Sequence, residues 1–189
     1  MKLLFFDLET AGLSPTINGI HQISGCIEID GVEKERFDFK VAPNPKLEIS
    51  DEALKISGKT REEVIAYPPM NTVYKQFVAL LAKYVDKYNK KDKFFLVGYN
   101  NASFDNQFLR EWFIQNNDKF YGSWFWPNTL DVYILATQKF LNKRCELVDF
   151  KLKTVCSCAG IKVDESKLHD AIYDIELTRN LYKIVTSDK

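Results

Sequence analysis

An α/β fold, with a mixed sheet flanked by helices, follows from three observations on this chain. Strand-patterned segments open it, one fully apolar run (FFLVGY, 94–99) sits near its middle, and segments of helical periodicity fill most of the remainder. Strands first, then helices alternating with a buried strand, is the pattern of a mixed sheet covered on both faces.

The elements follow in order. LLFFDL (3–8), IHQISGCIEID (20–30) and EKERFDFKVAP (33–43) read as strands of a β-meander, the last two joined by the turn Asp30-Gly31. Ser50 and Glu52 open a short helix around 52–56, Gly58 closes it, and Thr60 starts another with TREEVI. Beyond Pro68-Pro69 an amphipathic helix is expected over 71–88, with Val73, Phe77, Leu80, Leu81 and Tyr84 on its apolar face. After the strand 94–99, helices are expected near 103–116, 129–141, 147–159 and 171–186, with a Pro/Trp-rich loop at 122–127. Trp124, Phe125 and Trp126 beside Pro127 read as a core plug under that loop rather than a base-stacking surface.

At 189 residues the chain is expected to form one domain over 1–189, large enough for a core without disulfide or metal staples. Lys plus Arg and Asp plus Glu number 26 each, so the net charge gives no global sign of a nucleic-acid partner and any basic surface is local. Two runs could supply it: Lys83 to Lys93, and Lys139 to Lys153. Each run also reads as a solvated helix face. No stretch approaches the roughly 20 apolar residues that span a bilayer, so a soluble, cytoplasmic protein with no membrane partner and no C-terminal polymerase-binding tail is expected. Cys26, Cys145, Cys156 and Cys158 fit reduced thiols there. Their spacing, with His169, matches no usual zinc finger or ribbon. In LKTVCSCAG, Cys156 falls on the apolar face and Cys158 opposite.

The chemistry sits in three short motifs: Asp7 and Glu9 in FFDLET, Asp105 in NASFDNQFL, and His169 and Asp174 in HDAIYDIELT. Side chains two apart on a strand share a face, so Asp7 and Glu9 point the same way while Phe6 and Leu8 enter the opposite layer. Two anions in a buried apolar strand repel and take up protons unless cations compensate them. Asp105 lies early in a helix with Phe104, Phe108 and Phe113 on its apolar face, and Asp174 in the first turns of the last helix. Both helices could deliver a carboxylate to the strand pair. Taken singly, D-x-E is common, Asp105 could be a cap, and HDAIYD could be a helix start with Asp170 as N-cap. In this order they support one another, and a cluster of acids without matching bases suits hard divalent cations.

These motifs, with ISGKTREEV and LVGYNNASFDNQFL between them, resemble the Asp-Glu-Asp-Asp exonucleases of the DnaQ-like, His-containing branch, relatives of the DNA polymerase III epsilon proofreading subunit, over nearly the whole chain. The resemblance implies a ribonuclease H-like fold with a central mixed five-stranded sheet. It also implies removal of nucleotides one at a time from 3′ ends with two Mg²⁺ or Mn²⁺ ions. Asp7, Glu9, Asp105 and Asp174 become the metal ligands and His169 the general base. Asp170 stands where the Tyr-containing branch has its Tyr, which favours the His branch. By the same resemblance the backbone at Glu9 and Thr10 holds the 3′-terminal nucleotide, Leu13 wedges against its base, and Asn101 and Phe104 line the pocket. Leu13 could instead anchor its own loop. His21 has no such support and reads as structural.

Two departures stand out: Asn100 where many relatives have His, and Leu130-Asp131-Val132 in place of Asp-Thr. They leave Asp131 as a supporting residue or a helix N-terminal acid. The substrates implied are single-stranded DNA or RNA ends. DNA is favoured because Glu-Thr after Asp7-Leu8 resembles proofreading and repair members more than oligoribonucleases. A DNA polymerase or a second copy of the chain are the candidate partners, and a non-catalytic nucleic-acid-binding module is the competing reading.

Overall fold

The computed structural model describes residues 1–168 and 170–187. β1 (Lys2–Thr10), β2 (Ile20–Ile29) and β3 (Val32–Lys40) form the antiparallel meander, and β4 (Phe95–Gly98) and β5 (Leu130–Asp131) extend the sheet in parallel beside β1. The five strands run in the order β3-β2-β1-β4-β5, the mixed sheet of the ribonuclease H-like fold. The β2–β3 turn takes φ of 51° at Asp30 and 79° at Gly31. Asp-Gly suits such a hairpin turn, because positive φ at both central residues matches the right-handed twist of the strands.

Around the sheet lie α1 (Asp51–Ile56), α2 (Arg61–Ile65), α3 (Met70–Ala82), α4 (Asp105–Gln115), α5 (Tyr121–Trp124), α6 (Val132–Lys139), α7 (Leu152–Cys158) and α8 (Ala171–Thr186). β1 divides the core by its period of two. Leu4, Phe6 and Leu8 pack into one cluster with Phe77 of α3 and Trp112 and Phe113 of α4. Leu3 and Phe5 pack into the other with Ala136, Val155 and Leu181. A side chain of this size contributes roughly 1.5–3 kcal/mol when fully buried, so burial on both faces fixes β1 at the centre. Trp124 and Phe125 are plugged into the first cluster. Cys26 and Cys156 are buried, and burial pushes their thiols up to about 11 and about 12.

The structure corrects several expected boundaries. The helix expected over 71–88 ends at Ala82, and residues 86–88 form a separate local turn in which Asp86 accepts the Tyr88 N–H (3.0 Å), a bond that competes with further helix there. The helix expected over 129–141 is three things: β5, α6, and a 3₁₀ segment at Leu141–Glu146. Two residues carry no readable period, and pairing of Leu130 with Val97 and Asp131 with Gly98 makes them a strand. The helix expected from 147 begins at Leu152, since Asp149 Oδ1 accepts the Lys151 N–H and the Thr154 hydroxyl at the helix entrance. The loop expected at 122–127 includes most of α5. Among the described residues, no helix is long and apolar enough to cross a membrane.

Candidate active site

The carboxyl end of β1 carries Asp7 and Glu9 on the face shared with Leu3 and Phe5, and a bulge between Glu9 and Thr10 breaks the regular register with β2 there. Asp105, the first residue of α4, is 7% exposed, and its Oδ1 accepts the Leu8 N–H at 3.3 Å. That bond ties α4 to the strand between the two acids. The turn feeding α4 is fixed by Asp131, which is 5% exposed. Its Oδ1 accepts the N–H groups of Asn100 (2.9 Å) and Tyr133 (3.0 Å), and its Oδ2 accepts that of Ala102 (3.1 Å). Asp131 is thus both the N-cap of α6 and the clasp of the β4–α4 turn. Asn100 takes φ of 63°, a left-handed conformation that Asn tolerates better than most residues.

The acids share one electrostatic field. Desolvation, then the charges of Asp105, Glu9 and Asp174, push the Asp7 carboxyl well above the carboxylate range. Desolvation and the charge of Asp174, then Asp105, bring Glu9 up to about 7. Asp105 is also brought up to about 7, by burial against the opposing effect of its backbone hydrogen bonds. Three separate elements therefore present carboxylates to one another. Among the described residues, no three His, Cys, Asp or Glu side chains close into a ready-made cage. The donors are all oxygens of mutually repelling acids, Asp105 buried and Asp7, Glu9 and Asp174 partly so, which suits a hard divalent cation and not a thiolate- or imidazole-seeking one.

Asp174 rides on α8. Asp170 caps that helix by accepting the Tyr173 N–H at 2.9 Å. Arg179 bolts it to the sheet: its guanidinium donates to Glu28 of β2 at 2.9 Å and Glu33 of β3 at 2.6 Å, over the ring of Phe5. Tyr182 packs edge-on against Phe5 with ring centroids 5.5 Å apart. His169 lies outside the described residues.

The residues assigned to the terminal nucleotide fall at different depths. Thr10 donates its hydroxyl to the Gly12 carbonyl (2.7 Å), turning the loop that carries Leu13. Leu13 is 82% exposed. A Cβ on Gly12 would stand 2.2 Å from Asn18 Cγ, so only glycine lets this loop close onto Asn18. Phe104 is half-buried with its ring 4.9 Å from Phe108. Asn101 is fully buried, its amide donating to Asn106 Oδ1 (3.2 Å) and Thr129 Oγ1 (2.8 Å). It sits beneath the surface of the turn.

One feature of the site was not read from the sequence. Lys40, Lys55, Lys59 and Lys167 line the same cleft as Glu9 and Asp170, and none belongs to the runs Lys83 to Lys93 or Lys139 to Lys153. Lys83 and Lys87 line a separate groove beside α3, and Lys143 and Lys153 another beside α7. Lysines distant in sequence carry no local signal of convergence.

The exonuclease family profile, RNase_T, matches residues 4–182. The chain belongs to the exonuclease family. It is the DnaQ-like, Asp-Glu-Asp-Asp family that the motifs resemble. Among curated family relatives, the PolC-type DNA polymerase III of Mycoplasmopsis pulmonis is 27% identical over 181 residues, 96% of this chain and 11% of that protein. Exodeoxyribonuclease I of Buchnera aphidicola is 25% identical over 205 residues, all of this chain and 40% of that protein. Escherichia coli exonuclease I in complex with a dT13 oligonucleotide superposes with a TM-score of 0.77 at 22% identity, covering 98% of this chain and 41% of that one. A zinc-bound form of that enzyme with single-stranded DNA gives 0.77 at 23% identity, over 97% and 40% of the two chains. This exonuclease-family chain thus spans well under half the length of these relatives.

Proposed function

We propose that this chain is a divalent-metal-dependent 3′→5′ exonuclease, cutting single-stranded ends, DNA in preference to RNA, to nucleoside 5′-monophosphates. The observation that carries the reading is the single field shared by Asp7, Glu9, Asp105 and Asp174, with Asp105 hydrogen-bonded to the backbone between the first two. Residues 1–189 act in it as one catalytic domain.

Asp7, Glu9, Asp105 and Asp174 would hold two Mg²⁺ or Mn²⁺ ions. When bound, such ions neutralise the carboxylates, make water more acidic and polarise the phosphoryl group. His169, five residues before Asp174 in HDAIYD, is assigned to take the proton from the attacking water, a role its reference pKa of about 6.5 suits. The backbone at Glu9 and Thr10 holds the 3′-terminal nucleotide. Leu13, exposed on its loop, presses against the last base, and partly buried Phe104 lines the pocket, with Asn101 supporting the turn from beneath. Stacking on such apolar groups tolerates any base.

Similarity to exonuclease I, solved with a deoxyoligonucleotide, supports DNA as substrate, and similarity to a PolC-type polymerase supports a polymerase as partner. The test incubates the protein with Mg²⁺ or Mn²⁺ and matched 5′-labelled single-stranded DNA and RNA, beside Asp174→Ala and His169→Ala. Shortening from the 3′ end, faster on DNA and lost in both variants, is the expected result. A faster RNA ladder moves the substrate to RNA, and no shortening of either polymer by folded protein overturns the catalytic reading.

A further inference from the structure

The cleft beside Glu9 has a volume of about 430 Å³ and draws its lysines from three places: Lys40 at the end of β3, Lys55 and Lys59 around the end of α1, and Lys167 ahead of α8. Around α1 the placement is built into the backbone. Gly58 takes φ of 66° just past the helix, the Gly58 N–H reaches the Lys55 carbonyl (3.3 Å), and the Lys59 N–H reaches the Leu54 carbonyl (2.9 Å). This is a Schellman closure. It turns the chain back so that Lys55, in the last helical turn, and Lys59, just beyond it, face one cleft. Ser57 between them sits 3.4 Å from Nε2 of buried His21 on β2, which seats the closure on the sheet.

The lysines are not consumed by partners inside the cleft. Lys59 pairs with Glu63 at 2.8 Å along α2. Lys40 and Lys167 stand a loose 3.7 Å from Asp38 and Asp164. Asp38 is already engaged by Gln22 and Ser24, each at 2.7 Å. Lys55 and Lys167 are exposed. In a chain of zero net charge, four ammonium groups around a cleft whose own acids are Glu9 and Asp170 are a local concentration of positive charge at the edge of the acidic centre. The charge of Lys40 reaches both Glu9 and His21, and that of Lys59 reaches His21, as expected if the lysines converge.

We propose that Lys40, Lys55, Lys59 and Lys167 form a phosphate-binding rim that grips the backbone of the polynucleotide beside the scissile end and so makes this site prefer polymers over mononucleotide esters. The inference rests on the exonuclease reading above. Ammonium groups on flexible stems neutralise phosphates without reading bases, so the rim adds affinity and salt dependence but no sequence preference.

The test compares wild type with Lys55→Gln/Lys59→Gln and with Lys40→Gln/Lys167→Gln, after thermal unfolding shows each folded. Substrates are a 5′-labelled single-stranded 20-mer and the p-nitrophenyl ester of thymidine 5′-monophosphate, assayed across a KCl series. Each pair is expected to raise KM for the 20-mer roughly tenfold at low salt and to flatten its salt dependence by about 0.7 in log–log slope for each phosphate the variant no longer neutralises. kcat and hydrolysis of the ester stay at wild-type values. A 20-mer KM and salt slope equal to wild type overturn the rim, as does a parallel loss on the ester, which marks a structural role. Wild-type protein that hydrolyses neither substrate overturns the exonuclease reading and the rim together.

Discussion

Asp105 sets burial against charge: it is 7% exposed, accepts a backbone N–H, and faces other acids. With Glu9 and Asp105 both brought up to about 7, the folded metal-free protein holds protons that the unfolded chain releases near pH 4. The contribution is present below the unfolded values and is lost as pH rises through about 7. Asp105→Asn keeps the acceptor for Leu8 and removes the charge. In chelator at pH 8 it should therefore unfold at a higher temperature than wild type while losing at least about a hundredfold in kcat. A lower melting temperature in chelator would show that repulsion does not govern this site.

His21 behaves oppositely. Burial, then the charges of Lys40 and Lys59, depress it to about 4. Its contribution is full above the unfolded value of about 6.5 and is lost as pH falls toward about 4. Stability of the wild type, followed by urea titration from pH 7 to 4, should fall more steeply than that of His21→Gln.

At the scale of elements, two buried polar residues set where helices stand. Arg179 joins α8 to β2 and β3, and removing it strands Glu28, which is 5% exposed. Arg179→Ala should cost about 3–5 kcal/mol in chemical denaturation, and Arg179→Met with Glu28→Leu should recover most of that. If the single and double variants are equally unstable, packing rather than the stranded charge is responsible. Asp131 performs the matching task for α4 by accepting three backbone N–H groups. Asp131→Ala should cost about 1–3 kcal/mol and lower kcat by loosening the turn ahead of Asp105. Asp131→Asn, which keeps one acceptor oxygen, should fall between.

At the scale of the whole molecule, β1 is buried on both faces and ends in acids, so the sheet supplies rigidity and the acids supply an electrostatic repulsion that the proposed cations would relieve. A divalent ion at 100 times its Kd should stabilise the fold by about 2.7 kcal/mol. Thermal scans with and without Mn²⁺ should show that gain in wild type and little of it in Asp7→Asn/Glu9→Gln. An equal gain in both would place the ion elsewhere.

By itself, the sequence determined the parts whose signal is local. Alternation in LLFFDLET placed Asp7 and Glu9 on one face, Asp30-Gly31 determined the hairpin, Ser50 and Thr60 the caps of α1 and α2, and the period of α3 its buried face. It also carried the three acidic motifs, because each is a few residues long. Tertiary structure decided what depends on distant partners. β5 exists only through pairing with β4, Asn101 is buried beneath the turn rather than lining the nucleotide pocket as expected, and Asp131 became a clasp by reaching back to residues 100 and 102. The four lysines of the cleft, spread from residue 40 to residue 167, meet only because β3, α1 and the approach to α8 border one end of β1. Periodicity and capping act over a few residues and leave a readable pattern, whereas convergence of side chains across the sheet is a property of packing.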